Sequence, residues 1–152
     1  MNAYRLALSL LLAVVSLVAC ARDGGNGGAS CAPQVRDGWV RLVPGGMPMH
    51  AGFGRIENAC AAPATIVSAS SPSYASVMLH ESRVVNGMNQ MRMLQELRIA
   101  PDDAAVLKPG GLHLMLMRPG AKLNPGSRVV VQFELAGGGT VLGEFEVRKA
   151  EP

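Results

Sequence analysis

Seven clusters of turn-forming residues punctuate this chain after Val35: Pro44-Gly45-Gly46, Ser71-Pro72-Ser73, Asn86-Gly87, Lys108-Pro109-Gly110-Gly111, Arg118-Pro119-Gly120, Asn124-Pro125-Gly126 and Gly137-Gly138-Gly139. Proline stops helices and central strands, and glycine supplies the positive φ of tight turns. Stops this closely spaced leave room for short strands only. The candidate strands are Val35–Val43, Gly52–Asn58, Ala64–Ser70, Ser76–Val85, Met91–Leu97, Ala105–Leu107, His113–Met117, Arg128–Leu135 and Val141–Arg148. Asn86-Gly87 between Val85 and Met88 predicts a two-residue hairpin turn. No segment sustains a 3.6-residue period and no repeat is present, so the expected fold is all-β, a sandwich with Greek-key connections.

The last two segments show how a half-buried strand reads. Val129, Val131, Phe133 and Leu135 share one parity, opposed by Gln132 and Glu134; Val141, Phe145 and Val147 alternate with Glu144, Glu146 and Arg148. Other segments break this rule. Leu112, Leu114 and Leu116 take the core parity, but the opposite face carries His113, Met115 and Met117 in place of charges. Val77, Leu79 and Val85 likewise leave Met78 and His80 on the other side, and Met91 and Met93 share one face of their own segment. All eight methionines after the initiator fall between Met47 and Met117. Methionine fills gaps in cores, and each of these alone reads as packing. Their coincidence with two of the three histidines on the non-core parity marks a binding face.

The donor chemistry narrows the ligand. Thioether sulfur is soft and uncharged and favours Cu(I) over Mg, Ca or Zn. A neutral imidazole adds a stronger donor. Two Met and two His form an uncharged set suited to a monovalent d¹⁰ ion, without a thiolate that an oxidising compartment would consume. The absence of a nearby Cys also excludes a blue-copper electron-transfer centre. No Ser-His-Asp or Cys-His constellation and no carboxylate pair in a recognisable context is present, so the chain reads as a non-enzyme.

The first 19 residues read as an export signal: Arg5 supplies the positive region, and Leu6 to Val18 form an apolar run too short to span a bilayer comfortably. Leu17-Val18-Ala19-Cys20 resembles a bacterial lipobox, which implies acylation of Cys20 and a membrane lipid anchor. Residues 20–30 then form a Gly-rich tether, and 31–152 the folded domain. Inner and outer membrane both remain open, with Ala21 in place of Asp leaning towards the outer. In an exported chain Cys31 and Cys60 most simply pair as a disulfide. A formal net charge of +3, part of it from Arg5, with no Lys/Arg run, provides no footprint for nucleic acid.

At the candidate ligands the chain resembles the PCu(A)C family of periplasmic copper chaperones. His80 is followed after ten residues by Met91, and after twenty-one more by His113-Leu114-Met115. Leu79-His80-Glu81, Gly87-Met88 and Leu107-Lys108-Pro109-Gly110-Gly111 add to the likeness, which runs from about Val35 to Arg148. The resemblance implies a cupredoxin-like β-sandwich that binds one Cu(I) through His80, Met91, His113 and Met115. It also implies delivery to the copper subunit of cytochrome c oxidase, commonly its CuA centre, sometimes beside a Sco-type protein. Copper storage or resistance needs the same ligands and stays open as the alternative. Met47, Met49 and His50 are a candidate accessory copper site, weighed against a solvated loop before the Gly52 segment.

Overall fold

The computed structural model describes residues 31–43, 45 and 47–150; the leader, Cys20 and the tether lie outside them. Ten strands are formed and, among the described residues, no α-helix: β1 (Gln34–Arg41), β2 (Met49–Asn58), β3 (Ala64–Ser70), β4 (Tyr74–Val85), β5 (Met88–Met93), β6 (Leu97–Ile99), β7 (Asp103–Leu107), β8 (Leu112–Pro119), β9 (Arg128–Leu135) and β10 (Thr140–Arg148). The strands hydrogen-bond in the order β5-β4-β8-β2-β1-β10-β9-β3-β6, with β7 also on β2. A single pair, Ala69↔Val77, joins β3 to β4 and closes seven strands into a barrel-like ring. The two layers of the expected sandwich are therefore one wrapped sheet. β2 and β3 are consecutive yet far apart in strand order, a connection of Greek-key type.

The core lies inside this ring. Val129, Val131 and Phe133 of β9 meet Val147, Phe145 and Val141 of β10, all at most 5% exposed. Leu114, Leu116, Val77 and Leu79 cover them from the opposite wall, with Ile56, Ile66 and Val40. Each such side chain stabilises the fold by about 1.5–3 kcal/mol relative to exposure. The Asn86-Gly87 turn forms as the sequence predicts: both residues have positive φ (52° and 77°), and Val85 pairs with Met88 across it.

Besides shifts of a few residues at other strand ends, three departures from the sequence reading have a clear physical reason. The Met91–Leu97 segment is two strands, because Leu94 makes the last bond to β4 and turns its side chain inward. Its N–H donates to the Leu79 carbonyl at 2.8 Å, its side chain packs against the core, and β6 continues on β3. β2 begins at Met49 and not at Gly52, since Met49, Ala51 and His50 pair with Met117, Met115 and Leu116 of β8. The Met49-His50 loop is thus strand. In β1 the register slips between Arg36 and Trp39, with Asp37 at φ 51°. Gly38 permits this bulge: a Cβ there would lie 2.5 Å from the Glu144 carbonyl oxygen. The slip reverses the parity, so Val40 enters the core while Trp39 and Arg41 turn to the outer face.

Cys31 and Cys60 are joined by a disulfide, with Cα atoms 5.7 Å apart. The bridge ties the chain entering β1 to the chain leaving β2, at the end of the barrel away from Met49.

Candidate copper site

β4 and β8 run antiparallel with His80 directly opposite His113 and Met78 directly opposite Met115. Opposed residues share a face, so these four lie outside the ring while Leu79 and Leu114 point inward. β5 adds Met93 opposite His80 and Met91 opposite Ser82. From the other side, β2 adds Ala51 and Met49 opposite Met115 and Met117. Four strands, of which only β4 and β5 are consecutive, thereby assemble one field of imidazole and thioether groups.

The two imidazoles stack with ring centroids 6.1 Å apart and planes inclined by 28°. His113 is buried, and its Nδ1 lies 2.8 Å from the Gly111 carbonyl oxygen. A carbonyl only accepts, so Nδ1 carries the proton and Nε2 keeps a free lone pair. Metal-binding histidines are oriented by this kind of backbone contact. His80 presents the complementary fact: its Nδ1 is buried with no hydrogen-bond partner. Burial, and then repulsion from His113, push its pKa below the usual 6.5. A smaller opposing contribution comes from the Met78 backbone, and the net shift favours the neutral ring that a soft metal requires.

A cavity of about 210 Å³ opens on this field, lined by Met91, His113 and Met115 together with Met49, Phe53 and Arg41. His80 does not line the cavity; it joins the group through its stack on His113. Phe53 is 2% exposed yet lies outside the main core. It is covered by Trp39 (centroids 4.6 Å), His113 (6.4 Å) and the Arg41 guanidinium (5.2 Å from the ring centre), which form a small dry layer on the outer face. This layer explains how His113 is buried on a side of the sheet where solvent is expected.

Met91 is more open, at 57% exposed, and Met88 and Met93 are similarly exposed. Among the described residues β5 has β4 as its sole neighbour, and the β4–β8 pairing ends at Glu81↔Leu112. Ser82 still donates its N–H to the Gly111 carbonyl at 3.0 Å, and the stretch from Arg83 to Gln90 is a two-stranded ribbon standing off the ring. Glu81 braces its base from the reverse face, accepting from Arg83 at 2.8 Å and from Arg92 at 2.8 and 3.1 Å. The Arg83 and Arg92 guanidiniums hold its carboxyl below the usual range. Facing away and fully engaged, Glu81 is no donor to the cavity. Among the described residues no three of His, Cys, Asp and Glu gather, so the soft donors characterise this site.

The accessory candidates are not gathered as one cluster. Met49 faces the cavity just described, while Met47, before β2, lines a separate one with His50 and Leu123. His50 stands between the two, buried, with Nδ1 2.9 Å from the Tyr74 hydroxyl. Sequence reasoning missed Met49, Phe53 and Arg41 as neighbours of the main site. The alternation Met49, Ala51, Phe53 would have found the first two had β2 been extended by three residues, whereas Arg41 reaches the site through the β1 bulge.

Comparison with known proteins is decisive for the family. Residues 34–147 match the family model described as "Putative lipoprotein LpqE-like". The chain belongs to the LpqE-like lipoprotein family. A relative described as "Putative lipoprotein Lxx21020", from Leifsonia xyli subsp. xyli (strain CTCB07), is 34% identical over 108 residues. That alignment takes in 70% of this chain and 64% of the relative's own length. Among solved structures, the LpqE-like chain is similar to the Cu(I)-bound DR1885 from Deinococcus radiodurans. The TM-score is 0.62 at 26% identity, over 81% of this chain and 83% of that one. The copper-bound PCuAC domain from PmoF2 superposes with TM-score 0.61 at 18% identity, over 76% and 92% respectively. The LpqE-like fold is thus the cupredoxin-like fold of PCuAC domains, and both of these neighbours bind copper.

Proposed function

We propose that this LpqE-like chain is a copper(I) carrier of the bacterial cell envelope, with His80, Met91, His113 and Met115 as its ligands. The observation that carries the reading is the cavity itself. His113, with Nε2 freed by the Gly111 contact, shares it with the sulfurs of Met91 and Met115, beside the unpartnered imidazole of His80. Copper is cargo here. A neutral, partly open donor set holds a soft ion without redox cycling and leaves one side accessible for exchange. Acylation at Cys20 would keep the carrier at a membrane surface, exposed to the periplasm. Its recipient would be the CuA subunit of cytochrome c oxidase or a Sco-type protein, as the PCuAC likeness suggests.

Titration of the chain from Ala21 onward with Cu(I) against a competing chelator tests this. One tight site is expected, weakened in His113→Ala and in Met91→Ala. Equal affinity in all three proteins would remove the reading. Transfer of copper to an isolated CuA domain then separates a carrier from a storage protein, which would retain its metal.

A further inference from the structure

Next to the copper cavity lies a second depression of about 310 Å³, lined by Trp39, Arg41, Pro109, Arg148 and Lys149. Arg41 and Pro109 line both, so the two are contiguous. Among the described residues three cations and no carboxylate line the second one. Two of them rest on aromatic rings: the Arg148 guanidinium lies 5.4 Å from the Trp39 ring centre and that of Arg41 lies 5.2 Å from the Phe53 ring centre. Arg41 has no carboxylate partner among the described residues. Arg148 has only Glu146, at 3.2 Å with both side chains about half exposed, a surface pair that a better anion can displace.

Charge is distributed unevenly along the barrel. At the disulfide end of β2, Glu57, Asp102 and Asp103 outnumber Arg55, which pairs with Glu57 at 3.2 Å, around a cavity beside Asn58. Arg41, Arg148 and Lys149 mark the copper end. Arginines stacked on Trp39 and Phe53, with Glu146 as their one exposed carboxylate partner among the described residues, form a surface suited to carboxylates, and Trp and Arg dominate binding energy at protein interfaces.

We infer that the Trp39–Arg41–Arg148–Lys149 ledge docks an acidic protein surface and so aligns a copper donor or acceptor over the cavity. The copper-exchange part of this rests on the carrier reading above; the docking part does not. A protein fits better than a lipid layer because the ledge and the cavity share two residues. Whatever covers one covers the other, and a bilayer pressed there would seal the mouth, while a protein can bring ligands of its own. Fixed charges of this kind set encounter rate and orientation more than final affinity.

The test is an NMR titration of the copper-free chain from Ala21 onward with an octaglutamate peptide, run in parallel with phosphatidylglycerol vesicles. Expected are shifts confined to Trp39, Arg41, Lys108 to Gly110, Arg148 and Lys149. They should vanish in 1 M NaCl, where the Debye length is about 3 Å. Arg148→Gln with Lys149→Gln should weaken peptide binding about fivefold or more, with Cu(I) affinity unchanged. Peptide shifts elsewhere on the barrel, or binding indifferent to the double substitution, overturn the ledge. Vesicles shifting the same residues as strongly as the peptide overturn the choice of a protein partner. The two readings fail separately: absence of Cu(I) binding with intact peptide docking removes the carrier and leaves the ledge.

Discussion

His80 and His113 face each other across β4 and β8 with ring centroids 6.1 Å apart, and of the two only His113 has its Nδ1 engaged. The difference separates binding from stability. A buried polar atom without a partner costs on the order of 1–3 kcal/mol. His80→Leu should therefore leave the copper-free protein as stable as wild type or more so, measured by urea unfolding with a chelator present. Its Cu(I) affinity should fall on the order of 10–100-fold. His113→Ala should lose both affinity and stability, because it empties a buried position packed on Phe53. A large loss of copper-free stability in His80→Leu would contradict the unsatisfied nitrogen.

Stability should fall at both ends of the pH scale through one buried pair. Burial lowers the pKa of His50, so the unfolded chain takes up a proton first as pH drops. The stability this ring contributes is present above its ordinary 6.5 and is lost as pH falls below that value. Burial raises the Tyr74 hydroxyl to about 12, so its contribution is present below 10 and is lost as pH rises from 10 towards 12. Tyr74→Phe should flatten the alkaline limb and cost about 1–2 kcal/mol at neutral pH through the orphaned His50. Urea midpoints across pH 5–11 would show whether both limbs respond.

The β4–β5 ribbon offers a dynamic readout. An isolated two-stranded ribbon is marginal in water, and among the described residues Arg83 to Gln90 has no other strand beside it. Hydrogen exchange should be fast there and slow in β8. Cu(I) should protect the ribbon once Met91 is drawn to the metal, and Met91→Ala should abolish that protection while leaving β8 unchanged. Protection by copper in the Met91→Ala protein would mean that this sulfur is not what joins the ribbon to the site.

The disulfide should matter for stability alone. Cys31 and Cys60 are 29 residues apart in sequence, and closing a loop of that length is worth about 3–4 kcal/mol by chain entropy. Cys31→Ser with Cys60→Ser should lower unfolding free energy by about that amount. The bridge sits at the far end of β2 from Met49, so Cu(I) affinity should not change. A matched loss of affinity would show that the two ends of the barrel are coupled.

Much of this was readable in local chemistry. Pro and Gly clusters forced short strands, alternation in β9 and β10 identified their buried faces, and Asn86-Gly87 set its hairpin turn. Parity put His80 with Met78, and His113 with Met115, outside the core. These conclusions need only the two-residue period of a strand and the φ preferences of two residue types, properties each segment carries by itself. The tertiary structure decided the rest. Which strands lie side by side depends on pairings such as Ala51↔Met115 and His80↔His113, between residues dozens of positions apart. The Arg36/Trp39 bulge, set by close approach to Glu144, turned Trp39 and Arg41 towards the cavity against the simple parity of β1. Met49 joined the copper cavity, and His50 turned to Tyr74, because β8 extended β2 by long-range hydrogen bonds. Register between distant strands is settled by the packing of the whole ring, and no window of sequence contains it.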